Sequence, residues 1–278
     1  MARNWLVLLS LACFGTAQAC PPLALEALEA GVWFVPGENA VPLKANCGRV
    51  ANSVVLAGPA GLVVVDPGPT RKDGLRLREL IRRQIGRPVV AVVASHAHPE
   101  NVLAASVFLA PGVRFVSSDI TAARMRRYCP QCRRSLGAAV GRAEISGTRI
   151  VLPDQTLDAA RDRVDLAGSA WRVLRFEDGH LPGNMALYDS ARGLLVAGGL
   201  VNHARVPEMR DADLNAWMAA LDELAQLAPR RVLPGHGAPG DATMIAALRG
   251  YLERLERAVR DDVEAGNDAA SAPGRLDL

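Results

Sequence analysis

The 278-residue chain is half hydrophobic and 22% charged, with a net charge of +3. That balance supports a sizeable packed core and excludes a chain disordered along its whole length. Lys44 and Lys72 are the only lysines, and the arginines are scattered rather than gathered into a stripe, which argues against a nucleic-acid partner.

In chain order, residues 1–19 read as a signal peptide. Arg3 supplies a positive start, Leu6 to Phe14 a short apolar run, and Ala17-Gln18-Ala19 the small-x-small pattern of a cleavage site. A membrane anchor needs about 20 apolar residues, so no stable membrane span is expected. The other reading of this segment is a buried N-terminal helix. Cleavage after Ala19 sends the chain to the periplasm or outside the cell with Cys20 first. A lipoprotein anchored at Cys20 is the lesser option, because Ala17 stands where a lipobox prefers Leu.

One domain is expected over residues 20–263, in which β-branched runs alternate with helical patterns. Val32 to Val35, Ser53 to Ala57 and Leu62 to Val65 read as strands between Gly/Pro turns. A helix follows from Arg71 to Gln84, with Leu75, Leu77, Leu80 and Ile81 on its apolar face. Val89 to Ala94 is a continuous apolar strand, which implies burial on both faces. A helix around Asn101 to Leu109, a strand at Val113 to Val116 and a basic helix from Asp119 to Tyr128 come next. Further strands are expected at Arg149 to Leu152, Val164 to Leu166, Ala170 to Phe176, Met185 to Tyr188 and Leu194 to Ala197. Helices at Asp213 to Leu227 and Asp241 to Val263 complete the pattern, and residues 264–278 read as a disordered tail. Strands and helices that recur in this way fit an α/β (α+β) chain with two sheets packed face to face and helices outside.

Without its signal the chain keeps Cys20, Cys47, Cys129 and Cys132, an even count that suggests disulfides in an oxidising compartment. Proximity favours Cys20 with Cys47 and Cys129 with Cys132. The alternatives for Cys129-Pro130-Gln131-Cys132 are a redox-active pair or half of a zinc knuckle, but no second such motif exists.

Function is carried by the histidines. His96 and His98 lie two apart just beyond a buried strand, a spacing that puts both imidazoles on one side of an extended segment. His180 lies in Asp178-Gly179-His180-Leu181-Pro182-Gly183 and His236 in Pro234-Gly235-His236-Gly237, both tight turns. Any one of them alone would pass for an ordinary surface or core residue. Together, at strand ends, they make a candidate metal site. His203 either lines the same pocket or faces solvent in a loop.

These residues, in this order, resemble the metallo-β-lactamase superfamily. Its motifs correspond to Val65-Asp66-Pro67-Gly68, His96-Ala97-His98-Pro99-Glu100-Asn101, Gly179-His180, Gly198-Gly199 and Gly235-His236, so the resemblance spans Val32 to Gly240. More narrowly, the segments around Cys129 and Cys132 and from Gly198 to His203 are similar to exported quinoprotein relay system zinc metallohydrolases, relatives of a sulfur-oxidation-associated group. The resemblance implies a four-layer αββα sandwich and a first metal site of His96, His98 and His180. It also implies a degraded second site. Glu100 replaces its aspartate, Asn101 its histidine and Gly199 the bridging aspartate, and only His236 is unchanged. Three imidazoles and an open position suit one catalytic zinc, whereas a neutral amide is a poor zinc ligand.

The expected activity is therefore mononuclear zinc hydrolysis of a small ester, thioester or amide-like substrate by zinc-activated water. Glu100 is the first candidate for proton acceptor and His236 the second. Asp66 either orients a histidine through a hydrogen bond or caps its own turn. The alternative is a non-catalytic protein of this fold repurposed for ligand or partner binding. Redox chemistry on iron with Cys129 and Cys132 is a third reading, set back by the missing carboxylates. Periplasmic quinoprotein pathway components are the partners that the resemblance suggests.

Overall fold

The computed structural model describes residues 20–158, 163–268 and 272. The expected signal peptide and most of the expected tail lie outside these residues.

Two sheets make up the core of the chain. The first is an antiparallel meander of β1 (Glu26–Glu29), β2 (Val32–Val35), β3 (Ser53–Gly58) and β4 (Gly61–Val65). It is extended in parallel by β5 (Val89–Val93), β6 (Arg114–Ser118) and β7 (Gln155–Leu157). The second joins β8 (Arg163–Leu166), β9 (Ser169–Arg175), β10 (Met185–Asp189) and β11 (Leu194–Asn202) as antiparallel neighbours. β12 (Arg231–His236) lies parallel to β11 at its edge.

The period of two along β4 shows how the layers arise. Val63 and Val65 join Phe34, Val93, Trp171, Leu187 and Val196 in the core between the sheets. Leu62 and Val64 point the other way, to Leu77 and Ile81 of α1 (Arg71–Gln84) and Met125 of α3 (Asp119–Val140). On the far side of the second sheet, Leu195 and Ala197 pack against Trp217 and Leu221 of α5 (Leu214–Gln226) and Leu248 and Leu252 of α6 (Thr243–Glu264). The order of layers is helix, sheet, sheet, helix, as the sequence leads one to expect. Caps fix where helices begin: the Thr70 and Asp213 side chains accept from Asp73 and Ala216 amides at the starts of α1 and α5.

Three of the expected elements differ, and β1 is an addition to them. Arg149 to Leu152 forms no strand. Ile150, Val151 and Leu152 lie half-buried against the helical core, and the neighbouring Gln155–Leu157 takes the free edge of β6 instead. The helix expected over Asn101 to Leu109 is split into α2 (Pro99–Val102) and a 3-10 turn, Ala105–Val107. The helix expected to stop at Tyr128 runs on through Pro130 to Val140, with α4 (Arg142–Ile145) directly after it. Pro130 removes one backbone donor, but Met125, Cys129, Leu136 and Val140 keep a buried face along the whole length.

That helix also decides the cysteines. Cys20 and Cys47 form a disulfide, whereas Cys129 and Cys132 are free. Three residues apart in an α-helix, Cβ atoms are about 5–6 Å from each other, beyond the 3.5–4.5 Å or so that a disulfide requires. The expected Cys129–Cys132 bridge is thus corrected by the continuity of α3.

Candidate metal centre

The ends of β5, β11 and β12 meet over the seam between the sheets, and the four motif histidines come together there. His96 and His98 leave β5, His180 stands in the turn before β10, and His236 closes β12. The ring centroids of His96, His98 and His180 are 4.8, 5.1 and 5.3 Å apart, with all three pairs edge-on. An imidazole bound at about 2.1 Å has its centroid roughly 3.2 Å from a zinc, which puts tetrahedral neighbours about 5.2 Å apart. The triangle therefore fits one tetrahedral ion.

Cys20, Cys47 and Glu144 also bring ligand atoms within 4.8 Å of one another. Both sulfurs there are in the disulfide, so they offer no thiolate to a metal. Among the histidines the positions of the rings, rather than of any one nitrogen, define the centre. A half-turn of an imidazole exchanges nitrogen for carbon at the centre of the triangle and leaves its centroid in place.

His96 is held by a short chain of hydrogen bonds. The Ser95 hydroxyl donates to Asp66 Oδ2 at 2.6 Å and lies 2.8 Å from His96 Nδ1, while the Ser95 amide donates to Asp66 Oδ1 at 2.8 Å. With its proton committed to the carboxylate, Ser95 Oγ accepts from His96 Nδ1–H. Nε2 then carries the lone pair, and that atom is buried with no protein partner. A buried nitrogen with nothing to bond is what a metal ligand looks like before the metal is considered. His180 Nδ1 is likewise buried and unpartnered. The His180 ring lies 5.0 Å from the Trp217 ring, whose N–H donates to the Leu200 carbonyl at 2.8 Å.

Burial, reinforced by the neighbouring imidazoles, pushes the pKa of His96 and of His180 well below the usual value. Both are neutral, as ligation requires. Asp66 is itself fully buried, which raises its carboxyl to about 6 against the opposing pull of the two Ser95 hydrogen bonds. Its backbone is left-handed, at φ 52°, which few residues but Gly, Asn and Asp tolerate. Asp66 thus stands at a left-handed turn, and both of its carboxylate oxygens accept from Ser95, the neighbour of His96, rather than from its own turn.

Glu100 Oε1 lies 3.6 Å from His98 Nδ1, near enough for charge and too far for a hydrogen bond. His236 Nδ1 donates to the Val50 carbonyl at 2.8 Å, so Arg205 Nη1, 3.3 Å from the same nitrogen, acts there as a charge rather than a bonding partner. Burial and that guanidinium lower His236 to about 4. His203 Nδ1 is 2.8 Å from the Ala238 carbonyl, which ties its ring to the loop after β12.

Two glycines of β11 let the strand come this close. A Cβ at Gly198 would stand 2.4 Å from Ser95 Oγ, and one at Gly199 would stand 2.8 Å from both His180 Nδ1 and His96 Cε1. Asn101 is fully buried, with neither amide atom hydrogen-bonded, although it lies near enough to Asp66 to favour the charged carboxylate.

A family model described as "Metallo-beta-lactamase superfamily" matches residues 48–110, from the loop before β3 to the end of the His96–Asn101 segment and just beyond. Among solved structures, the chain superposes on a metallo-beta-lactamase from Pontibacter korlensis with a TM-score of 0.67 at 22% identity, covering 83% of this chain and 99% of that one. A metallo-beta-lactamase from Pseudomonas aeruginosa, solved in its mono-zinc form, gives 0.68 at 17% identity, with 85% and 97% covered. One from Hirschia baltica gives 0.64 at 17%, with 84% and 98% covered. The fold is the metallo-beta-lactamase fold. The family model covers less than half of the chain, and at these identities the superpositions show the fold.

The structure brings the four motif histidines together and adds Ser95, Trp217 and Arg205, which the sequence did not mark out. Ser95 directly precedes His96, so its position was the available signal. Trp217 and Arg205 reach the site from segments without a motif.

Proposed function

We propose that the chain is a metal-dependent hydrolase that works with one zinc held by His96, His98 and His180. The observation that carries this reading is the triangle of imidazoles, two of them buried, neutral and with an unpartnered nitrogen. A zinc so held supplies Lewis acidity toward a carbonyl and lowers the pKa of water.

The chain's own residues do the rest. Ser95 and Asp66 fix the tautomer of His96. Trp217 closes one flank of His180 against solvent. Glu100 is placed to accept a proton beside His98, and neutral His236 is the second base in reach. The substrate class is a small ester, thioester or amide-like molecule, met in the periplasm. The Cys20–Cys47 disulfide is consistent with an oxidising compartment, and no described helix is long and apolar enough to cross a membrane. A working context near quinoprotein-dependent oxidation rests on the sequence resemblance.

The reading of one zinc rather than two is supported by Gly199, which offers no carboxylate and whose added Cβ would press on the rings of His96 and His180. The same feature favours the second reading, a protein repurposed for ligand or partner binding. The test that divides them begins with metal content per chain by elemental analysis, on the exported protein and on a His96→Ala/His98→Ala variant. About one zinc in the first and none in the second is expected. Turnover of an ester or thioester panel that disappears in the double variant establishes the hydrolase. Bound zinc with no turnover on that panel establishes the binding protein.

A further inference from the structure

Glu144 is buried, and its two carboxylate oxygens are used unequally. Oε1 accepts from the Thr70 hydroxyl at 2.8 Å and lies 3.8 Å from Arg76 Nη2. Oε2 stands 3.5 Å from Cys20 Sγ, and no N–H or O–H donor to it is found among the described residues. A disulfide sulfur has no hydrogen to give, so one oxygen of a buried carboxylate faces the Cys20–Cys47 bridge without a donor. The two sulfurs and a Glu144 oxygen all lie within 4.8 Å of one another.

From this geometry we propose that opening the Cys20–Cys47 disulfide creates a metal site, in which both thiolates and Glu144 hold one zinc-like divalent ion. The spacing already suits it. On a tetrahedral zinc, a thiolate at about 2.3 Å and a carboxylate oxygen at about 2.0 Å stand roughly 3.5 Å apart. That is the distance between Cys20 Sγ and Glu144 Oε2. Two thiolates on the same ion stand roughly 3.8 Å apart. The sulfurs reach that separation by rotamer changes, while their Cα atoms stay 5.7 Å from each other.

The surroundings hold the ligands in place without the bridge. Asn46, beside Cys47, accepts from the Leu43 and Gly48 amides at 2.9 and 3.0 Å and donates to the Val41 carbonyl at 2.9 Å. Those bonds close the loop on itself. Thr70 holds Glu144 from the start of α1. Cys20 is half-buried and Cys47 buried, so a reductant meets Cys20 first. A thiolate of a dithiol attacks Cys20 Sγ, and Cys47 leaves as its thiolate. The second thiol of the reductant then displaces Cys20, so the dithiol is oxidised to its own disulfide and its two protons pass to the cysteines. Metal binding releases those protons. Bridge and ion are thus alternative staples for the same segments, one for oxidising and one for reducing conditions. Nothing in this depends on the histidine centre or on hydrolysis.

The test uses the exported protein, reduced with dithiothreitol and then freed of it, with cobalt(II) as the probe. Thiolate-to-cobalt charge transfer reports this site, because imidazole ligands give no such band. Cys129→Ser/Cys132→Ser removes the two free thiols. In that background the band should appear after reduction, saturate at about one cobalt per chain, and be missing before reduction. Cys20→Ser should abolish it, and Glu144→Gln should weaken binding about tenfold or more, since an amide replaces a charged ligand. In the reduced wild type, zinc should slow alkylation of Cys20, mapped by peptide mass analysis, about tenfold. A reduced protein without the band overturns the inference, as does a band that Glu144→Gln leaves at full affinity. Alkylation of Cys20 at one rate with and without zinc also overturns it.

Discussion

At the scale of single residues, the centre depends on groups that never touch a metal. Ser95 Oγ sits between Asp66 and His96 and decides which imidazole nitrogen carries the proton. Ser95→Ala should keep the fold and cost roughly 10–100-fold in zinc affinity, read by competition with a chromogenic chelator. An unchanged affinity would show that His96 is oriented by its backbone alone. Gly199 is a second such position. Gly199→Asp restores the carboxylate that the family pattern expects, yet its Cβ would stand 2.8 Å from two ring atoms of the centre. The expected outcome is a lower thermal midpoint and no more than one zinc per chain by elemental analysis; two zincs would mean that the rings move aside. Much of this level was legible in the sequence. The histidines announced themselves by their turns, whereas the roles of Ser95 and Gly199 depend on distances across strands far apart in the chain.

At the scale of elements, the Cys20–Cys47 disulfide ties the first described residue to the loop between β2 and β3 across 27 residues. Closing a loop of that length in the unfolded chain is worth about 3–4 kcal/mol. Cys20→Ser/Cys47→Ser should lower the free energy of unfolding by about that amount in urea titrations. A loss below about 1 kcal/mol would show that the packing of β1 and β2 already holds the segment. The sequence placed this pair correctly because two lone cysteines near one end leave few choices. It failed on Cys129 and Cys132 because Pro130 reads locally as a helix end. The hydrophobic face from Met125 to Val140 overrides that signal, since its burial outweighs the one hydrogen bond that proline removes. The misplaced strand at Arg149 to Leu152 has a similar origin. Apolar character marks a segment for burial, and only the free edge of β6 selects which neighbouring residues pair.

For the whole molecule, gathering three buried histidines in one place makes stability depend on pH. In the metal-free folded chain His96, His180 and His236 are all shifted down, His236 to about 4. The unfolded chain protonates them near pH 6.5 or so, and the folded chain does not. Their contribution is fully present above that pH and is lost as pH falls through it. Asp66 has the opposite sign. Its folded value of about 6 lies above the usual 3.8, so the folded state takes up a proton first and gains stability between those values as pH falls, offsetting part of the loss. The thermal midpoint of metal-free protein should therefore fall between about pH 7 and pH 5, and a flat profile would mean that the imidazoles are solvated. Zinc at about a hundred times its dissociation constant should add about 2.7 kcal/mol of stability at pH 7, and less as the ligands protonate.

The sequence by itself determined the layered α/β architecture, most strand and helix positions, and the four motif histidines. These are properties of local periodicity and of residue types that turns and strand ends select. The tertiary structure decided the rest. It set which imidazole nitrogen is free, that β11 comes too close for any side chain at Gly199, and that α3 continues through Pro130. Each of these is a distance between segments remote in sequence. Such distances are fixed only when two sheets close on a common core, because it is that packing, rather than any local preference, that sets how near their loops can come.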